Sequence, residues 1–96
     1  MALDKVYQRS QDLIKRQILG ETLLVPIRGE LADLQRIFAL NPVAQHIWET
    51  LDGVRDLAAV RDSVVTHFEV QPARAEADVV EFISLLNAAG LIVEMA

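Results

Sequence analysis

Apolar and polar residues alternate along the first third of the chain, in three short runs separated by turn residues. A period of two is typical of β-strands with one buried face. Gly20-Glu21 and Arg28-Gly29-Glu30 favour turns between the runs, and Pro26, which has no N–H to donate, is expected near a strand end or on a sheet edge. The pattern predicts an antiparallel meander with strands at Leu13–Leu19, Thr22–Ile27 and Leu34–Leu40.

Beyond residue 40 the apolar residues recur at helical spacing, and the ends of three helices are marked. Asn41-Pro42 is a favoured start, Asp56 begins the second helix and Pro72 the third. Gly53 and Gly90 stand where the first and third helices are expected to end in a left-handed cap. The apolar stripe of the first helix, which includes Trp48, is expected to be core.

The order of three strands and then three helices predicts an α+β domain, with the helices on one face of a small sheet. The chain has 96 residues, which fits one domain over residues 1–96. Residues 1–12 show neither period and are expected to form a loosely ordered arm. Leu91–Glu94 can add a short strand or simply pack on the core.

Charge is distributed unevenly and bears on the choice of partner. The net charge is −5, and residues 41–96 carry three Arg against nine Asp and Glu. Phosphate contacts dominate the affinity of nucleic-acid binders, which need a basic face, so an acidic helical half disfavours nucleic acid and favours a basic peptide. No apolar run reaches signal-peptide or membrane-span length, so we expect no membrane association.

The residues that carry catalysis are scarce. The chain has no cysteine, which removes disulfides, thiolate metal sites and thiol nucleophiles, and which fits the cytoplasm. His46 and His67 fall on different predicted helices without a metal-ligand motif, so each is expected at the surface or its boundary. No serine has a nucleophile-elbow setting and no loop could cradle a phosphate. We therefore expect neither enzyme activity nor a cofactor or metal.

Two spaced motifs in the helical half carry a resemblance to a known family. The first reads Leu40-Asn41-Pro42, Ile47-Trp48 and Leu51-Asp52-Gly53; the second reads Asp78-Val79, Phe82-Ile83, Leu86 and Gly90-Leu91. Together they resemble the PqqD (coenzyme PQQ synthesis protein D) family. This family is the parent of the recognition element that binds leaders of ribosomally made, post-translationally modified peptides. One departure is Gln71, where family members often carry an acidic residue before the proline of the third helix.

The resemblance implies a winged-helix-like domain and a non-catalytic peptide chaperone. In the family a precursor's leader adds as a strand to the third strand, beside the third helix, and is presented to a modifying enzyme, often a radical S-adenosylmethionine (radical SAM) protein, as in PQQ biosynthesis. Carried over to this chain, the peptide-binding residues are expected on that strand and on one face of that helix: Leu34, Gln35, Arg36, Ile37, Phe38, Ala39, Ala75, Asp78, Glu81, Phe82 and Leu85. Phe38 and Phe82 would form an apolar floor or pocket wall, Arg36 and Asp78 would match leader charges, and Glu81 would lie at the rim.

Two other functions compete with leader binding. A winged-helix DNA-binding domain needs a basic recognition helix, whereas the segment from Gln71 onward has one Arg against four acidic residues. A protein-interaction or dimerisation module remains open, because a strand edge that accepts a peptide can also accept a second copy of the chain. A homodimer is therefore compatible with the sequence.

Overall fold

The computed structural model of the chain describes residues 2–11, 13–26 and 37–95. In chain order the elements are β1 (Val6–Arg9), β2 (Leu13–Ile18), β3 (Glu21–Pro26), β4 (Phe38–Leu40), α1 (Pro42–Thr50), β5 (Asp52–Asp56), α2 (Leu57–Phe68), α3 (Pro72–Ala88) and β6 (Ile92–Met95). The predicted α+β fold, with a three-stranded antiparallel sheet and three helices, is confirmed. A second three-stranded sheet was not predicted.

The predicted meander forms the hairpin sheet, in which the strand order is β2-β3-β4. Ile18 pairs with Glu21, so the turn is the two residues Leu19 and Gly20, one position earlier than predicted, and both have positive φ, 51° and 83°. Such a turn matches the right-handed twist of the two strands it joins. In the described chain the third strand begins at Phe38, after Ile37, which was expected in it. Leu34–Arg36 lie outside the described residues, as do Ile27 and the expected turn at residues 28–33.

The terminal sheet joins the two ends of the chain in the order β5-β1-β6. The expectation of a loose N-terminal arm over residues 1–12 is wrong at β1, which pairs antiparallel with β6 and β5. Tyr7 is only 3% exposed, and Leu57 and Ala58, the first residues of α2, donate backbone N–H bonds to the carbonyls of Lys5 and Leu3. The carbonyls before β1 thus supply partners for helix-end N–H groups that otherwise have none.

The helix starts are as predicted, and one predicted end is wrong. Asn41 accepts a bond from the Ala44 N–H at 2.8 Å and Asp56 from the Ala59 N–H at 2.8 Å. α1 ends at Thr50, before Gly53, which instead lies in β5 with φ +80°. A side chain at residue 53 would meet Gln8 of β1, beside an irregularity in the β1–β5 pairing. Gly53 therefore serves the second sheet and does not cap the helix.

One core unites both sheets and all three helices. Its members have 7% exposure or less and include the predicted Trp48: Tyr7, Leu24, Leu40, Ile47, Trp48, Leu51, Leu57, Val60, Val64, Ala75, Val79, Ile83, Leu86, Ala89, Leu91 and Ile92. α3 ends as predicted at Gly90 (φ 73°), where Gly90 and Leu91 donate N–H bonds to the carbonyls of Asn87 and Leu86. This is a Schellman cap, and it turns the chain directly into β6.

Candidate functional site

The strand β4 lies at one edge of the hairpin sheet. On one side it pairs with β3 through Leu40 opposite Thr22, Ala39 opposite Leu23 and Phe38 opposite Leu24. On its other side no strand of the described chain pairs with it. An edge strand presents unpaired N–H and C=O groups, which can pair with another extended chain.

A cleft of about 330 Å³ opens between β4 and α3, with the first turns of α1 as its base. Its surface is about half apolar, and the apolar residues that line it are Phe38, Ala39, Leu40, Val43, Ala44, Ile47, Phe82 and Leu85. Phe38 and Phe82 are half-buried and pack against the core, whereas the Leu85 side chain is 53% exposed at the lip. A concave apolar site with a few polar groups is the usual form of a binding pocket.

The polar groups of the cleft come mostly from α3 and are acidic in sum. Arg74 and Asp78, one turn apart, form an ion pair with Nε–Oδ distances of 3.3 Å. Glu81 is exposed, and no ion pair joins it to another described residue. These three side chains leave one net negative charge at the rim, which attracts a cation from a bound molecule.

Helical periodicity explains which α3 residues face the cleft. Ala75, Val79, Ile83 and Leu86 recur at spacings of four, four and three, and each is fully buried. A second stripe, one residue out of phase, turns towards β4; it consists of Arg74, Asp78, Glu81, Phe82 and Leu85. Ala75 belongs to the buried stripe, so its expected place on the peptide-binding face differs from its place in the structure.

The structure brings together six of the eleven residues expected at the site: Phe38, Ala39, Asp78, Glu81, Phe82 and Leu85. Ile37, 60% exposed, immediately precedes β4 and does not line the cleft. Leu34, Gln35 and Arg36 lie outside the described residues. The charge match expected between Asp78 and a leader is altered, because Asp78 already has Arg74 as a partner.

Sequence reasoning missed the contribution of α1. Only Asn41 separates β4 from α1, so the first turns of the helix must lie beside the end of the strand. Asn41, Val43, Ala44 and Ile47 consequently line the cleft. The available signal was the short connection itself, because a one-residue link between a strand and a helix leaves the helix no other place.

The two histidines, which lie on α1 and α2, meet away from the cleft. Their rings stack with centroids 4.6 Å apart, and His46 Nε2 lies 2.7 Å from Ser63 Oγ. Burial lowers the pKa of His46 below its usual 6.5, and the charge of a protonated His67 lowers that pKa further. Within the described ranges no group of three or more His, Cys, Asp or Glu side chains is arranged to hold a metal ion.

Comparison with known proteins gives a family and a fold. Residues 21–92 match the model of the family described as Coenzyme PQQ synthesis protein D (PqqD). A comparison with curated protein sequences finds no match. Among the described residues, no helix has the length and apolar content to cross a membrane.

Two solved structures share the fold at low sequence identity. One is "TbiB1 in Complex with the TbiA(beta) Leader Peptide", with a TM-score of 0.69 and 20% identity, covering 88% of this chain and 93% of that one. The other is "Lasso peptide synthetase B1 complexed with the leader peptide", with a TM-score of 0.72 and 18% identity, covering 91% and 96%.

Proposed function

Because the chain belongs to the PqqD family, we propose that it binds the leader of a ribosomally made precursor peptide and presents it to a modifying enzyme. It acts without catalysing a reaction itself. The leader adds as a strand to the free edge of β4 and lays alternate side chains into the cleft beside α3. The observation that carries this proposal is the second edge of β4, which pairs with no strand of the described chain and lies directly beside a cleft with apolar walls.

Strand addition suits a partner whose sequence varies. Main-chain hydrogen bonds to β4 supply affinity with little demand on side chains, while the cleft selects the residues that point into it. Phe38 and Phe82 offer apolar surface on opposite walls, because one belongs to the strand and the other to the helix. An apolar leader residue between them would be withdrawn from water on two sides.

The rim adds a preference for charge. Arg74, Asp78 and Glu81 together carry one net negative charge, and only Glu81 has no ion-pair partner in the described chain. A Lys or Arg of the leader is therefore favoured near Glu81. Nucleic acid is disfavoured, since α3 has Arg74 as its single basic residue against Glu76, Asp78 and Glu81.

Two further parts of the proposal come from the relatives. Both similar solved structures are complexes with leader peptides, which supports a leader as the partner. The family supports a modifying enzyme of the radical SAM type, with PQQ or another modified peptide as the product. We propose that leader binding takes place in the cytoplasm, because a chain without cysteine has no disulfide that reducing conditions could break.

Amide NMR tests the proposal most directly. The labelled chain is titrated with the leader of a precursor peptide encoded beside its gene. We expect the largest shifts at Phe38–Leu40 and Arg74–Leu85, and increased protection of β4 amides from exchange. If those amides stay unchanged at millimolar peptide while the protein is folded, that peptide is not a ligand of this cleft.

A pair of α3 variants separates the cleft from the rest of the helix. Leu85→Glu places a carboxylate at the cleft lip, where an exposed side chain can change without disturbing the core. Leader affinity should fall about tenfold or more, which corresponds to about 1.4 kcal/mol. Ser84→Glu, the matched control, adds the same charge at the neighbouring exposed position outside the cleft and should change affinity less than about twofold. Equal losses in the two variants would exclude the cleft as the site.

A further inference from the structure

Both sides of the hairpin sheet carry apolar residues, but these residues differ in burial. One side faces α1: Lys15 Nζ lies 3.4 Å from Glu49 Oε1, and Thr22 Oγ1 donates to Gln45 Oε1 at 2.8 Å. This helix-facing side contributes Leu24 and Leu40 to the core, while Lys15 and Gln17 of β2 add polar groups at its border. A strand packed on a helix normally presents its apolar residues to that helix.

The opposite side, which we term the outer face, also carries apolar residues, and none of them belongs to the core. It consists of Ile14, Arg16 and Ile18 of β2, Glu21, Leu23 and Val25 of β3, and Ala39 of β4, as the strand registers require. Ile14 is 39% and Ile18 50% exposed. Exposed apolar side chains that are grouped on one face of a small protein are typical of a site of interaction.

The two charged residues of the outer face are opposite in sign and near each other. Arg16 lies opposite Leu23 and Glu21 lies opposite Ile18, so they are diagonal neighbours across β2 and β3. Neither forms an ion pair with another described residue. The outer face is therefore neutral, although the whole chain carries a net charge of −5.

We propose that the outer face binds a second copy of this chain. A two-fold rotation can place Arg16 of one protomer against Glu21 of its partner, and the same rotation repeats the contact in reverse. The flanking Ile14, Ile18 and Leu23 then pack against their counterparts, as the inner faces of stacked sheets do. A neutral, self-complementary face lets two acidic chains meet with little repulsion at the contact.

The dimer goes beyond leader binding and does not depend on it. The interface uses a face of the hairpin sheet, whereas the leader adds at the β4 edge of that sheet. The β4 edge of each protomer remains free in the dimer, which therefore carries two leader sites. An edge-to-edge dimer, by contrast, would occupy the sites that leaders need.

Charge reversal tests the contact, with sedimentation of the full chain from micromolar to millimolar concentration as the readout. Wild type should show a concentration-dependent dimer. Arg16→Glu and Glu21→Arg should each weaken it about tenfold or more, because both ion pairs become like-charge contacts. An equimolar mixture of the two variants should dimerise again, since each then meets its opposite, and so should the double variant.

The recovery on mixing makes the test independent of folding defects, which mixing cannot repair. Circular dichroism checks that each variant is folded. A wild type that stays monomeric at millimolar concentration overturns the proposal, as does a dimer that single charge reversal leaves unchanged. Dissociation of the dimer on addition of a leader also overturns it, because that outcome places the second copy at the β4 edge.

Discussion

The hairpin sheet and the terminal sheet are both three-stranded and antiparallel, but they are built in different ways. β2 and β3 pair through a two-residue turn, and their outer face carries exposed isoleucines. β1 is the central strand of the terminal sheet, between two strands distant in sequence, and it buries Tyr7 in the core together with Ile92 of β6. The hairpin sheet pairs strands that are adjacent in the sequence and leaves one of its faces exposed. The terminal sheet pairs strands that are distant in the sequence and so joins the two ends of the chain beside the core.

This difference assigns separate tasks to the two sheets. The hairpin sheet supplies the β4 edge, one wall of the cleft and the outer face, all of which are available to partners. The terminal sheet supplies partners for the start of α2 and joins the chain ends, where Lys5 and Glu94 form an ion pair at 2.9 Å. Binding should therefore depend mainly on the hairpin sheet, and stability on the positions that either sheet buries in the core, such as Tyr7 of β1 and Leu24 of β3.

The largest expected effect comes from emptying the core position of β1. Tyr7→Ala should lower the free energy of unfolding by about 3 kcal/mol or more, as truncation of a buried aromatic usually does. Ile18→Thr on the hairpin sheet, where half of the side chain is exposed, should change it by about 0.5 kcal/mol. Urea unfolding of dilute monomer measures both, and similar losses in the two variants would remove the proposed division of tasks.

The sequence allowed prediction of the features that depend on neighbouring residues. The starts of α1 and α2 followed from Asn41 and Asp56, because a cap bond spans only three residues. The strands β2 and β3 followed from alternation. On α3 most of the cleft face followed from spacing and family resemblance, although Ala75 falls on the buried stripe.

The terminal sheet could not be predicted because its strands lack a local signature. β5 reads Asp-Gly-Val-Arg-Asp, which is polar and typical of a loop, and it is extended because β1 pairs with it. β1 buries one residue of four, too few to show a period. Gly53 was assigned to a helix end because local patterns cannot predict its contact with Gln8, which is distant in the sequence.

A substitution in the turn of the hairpin sheet should stabilise the protein. Leu19 adopts φ 51°, a left-handed conformation that is unfavourable for leucine. Its side chain is fully exposed, so no burial of apolar surface offsets this strain. Leu19→Asn, in an Asn-Gly turn, should raise the free energy of unfolding by about 1 kcal/mol. Leu19→Ala keeps the Cβ and serves as the control. If alanine stabilises as much as asparagine in urea unfolding, the gain comes from removing leucine and not from the backbone.

The third helix, α3, has a weaker start than α1 and α2. At the start of α3 Gln71 makes no side-chain cap bond, unlike Asn41 and Asp56. Gln71→Asp should stabilise the protein by about 0.5–1 kcal/mol, through a cap bond and the favourable end of the helix dipole. Gln71→Ala should give no gain, and thermal unfolding compares the two. A gain that high salt and low pH leave intact for Gln71→Asp would contradict the role of the carboxylate.

The smallest expected effect concerns the contact between α1, which follows the hairpin sheet, and α2, which follows the terminal sheet. Burial and then His67 lower the pKa of His46 in the folded state, while Glu49 acts in the opposite direction and Arg55 adds a small lowering. Between the usual value of 6.5 and the lower folded value, the unfolded chain binds more protons, so stability should fall as the pH drops through this window. The folded-state pKa of Glu49 is also lowered, so a further loss of stability is expected at lower pH, below the usual value of 4.5.

The variant His46→Gln keeps a polar group beside Ser63. It should weaken the pH dependence of the free energy of unfolding between pH 6.5 and the range in which carboxylates titrate, which urea unfolding at a series of pH values measures. If the free energy of unfolding depends on pH as steeply in this variant as in wild type, a group other than His46 causes the dependence.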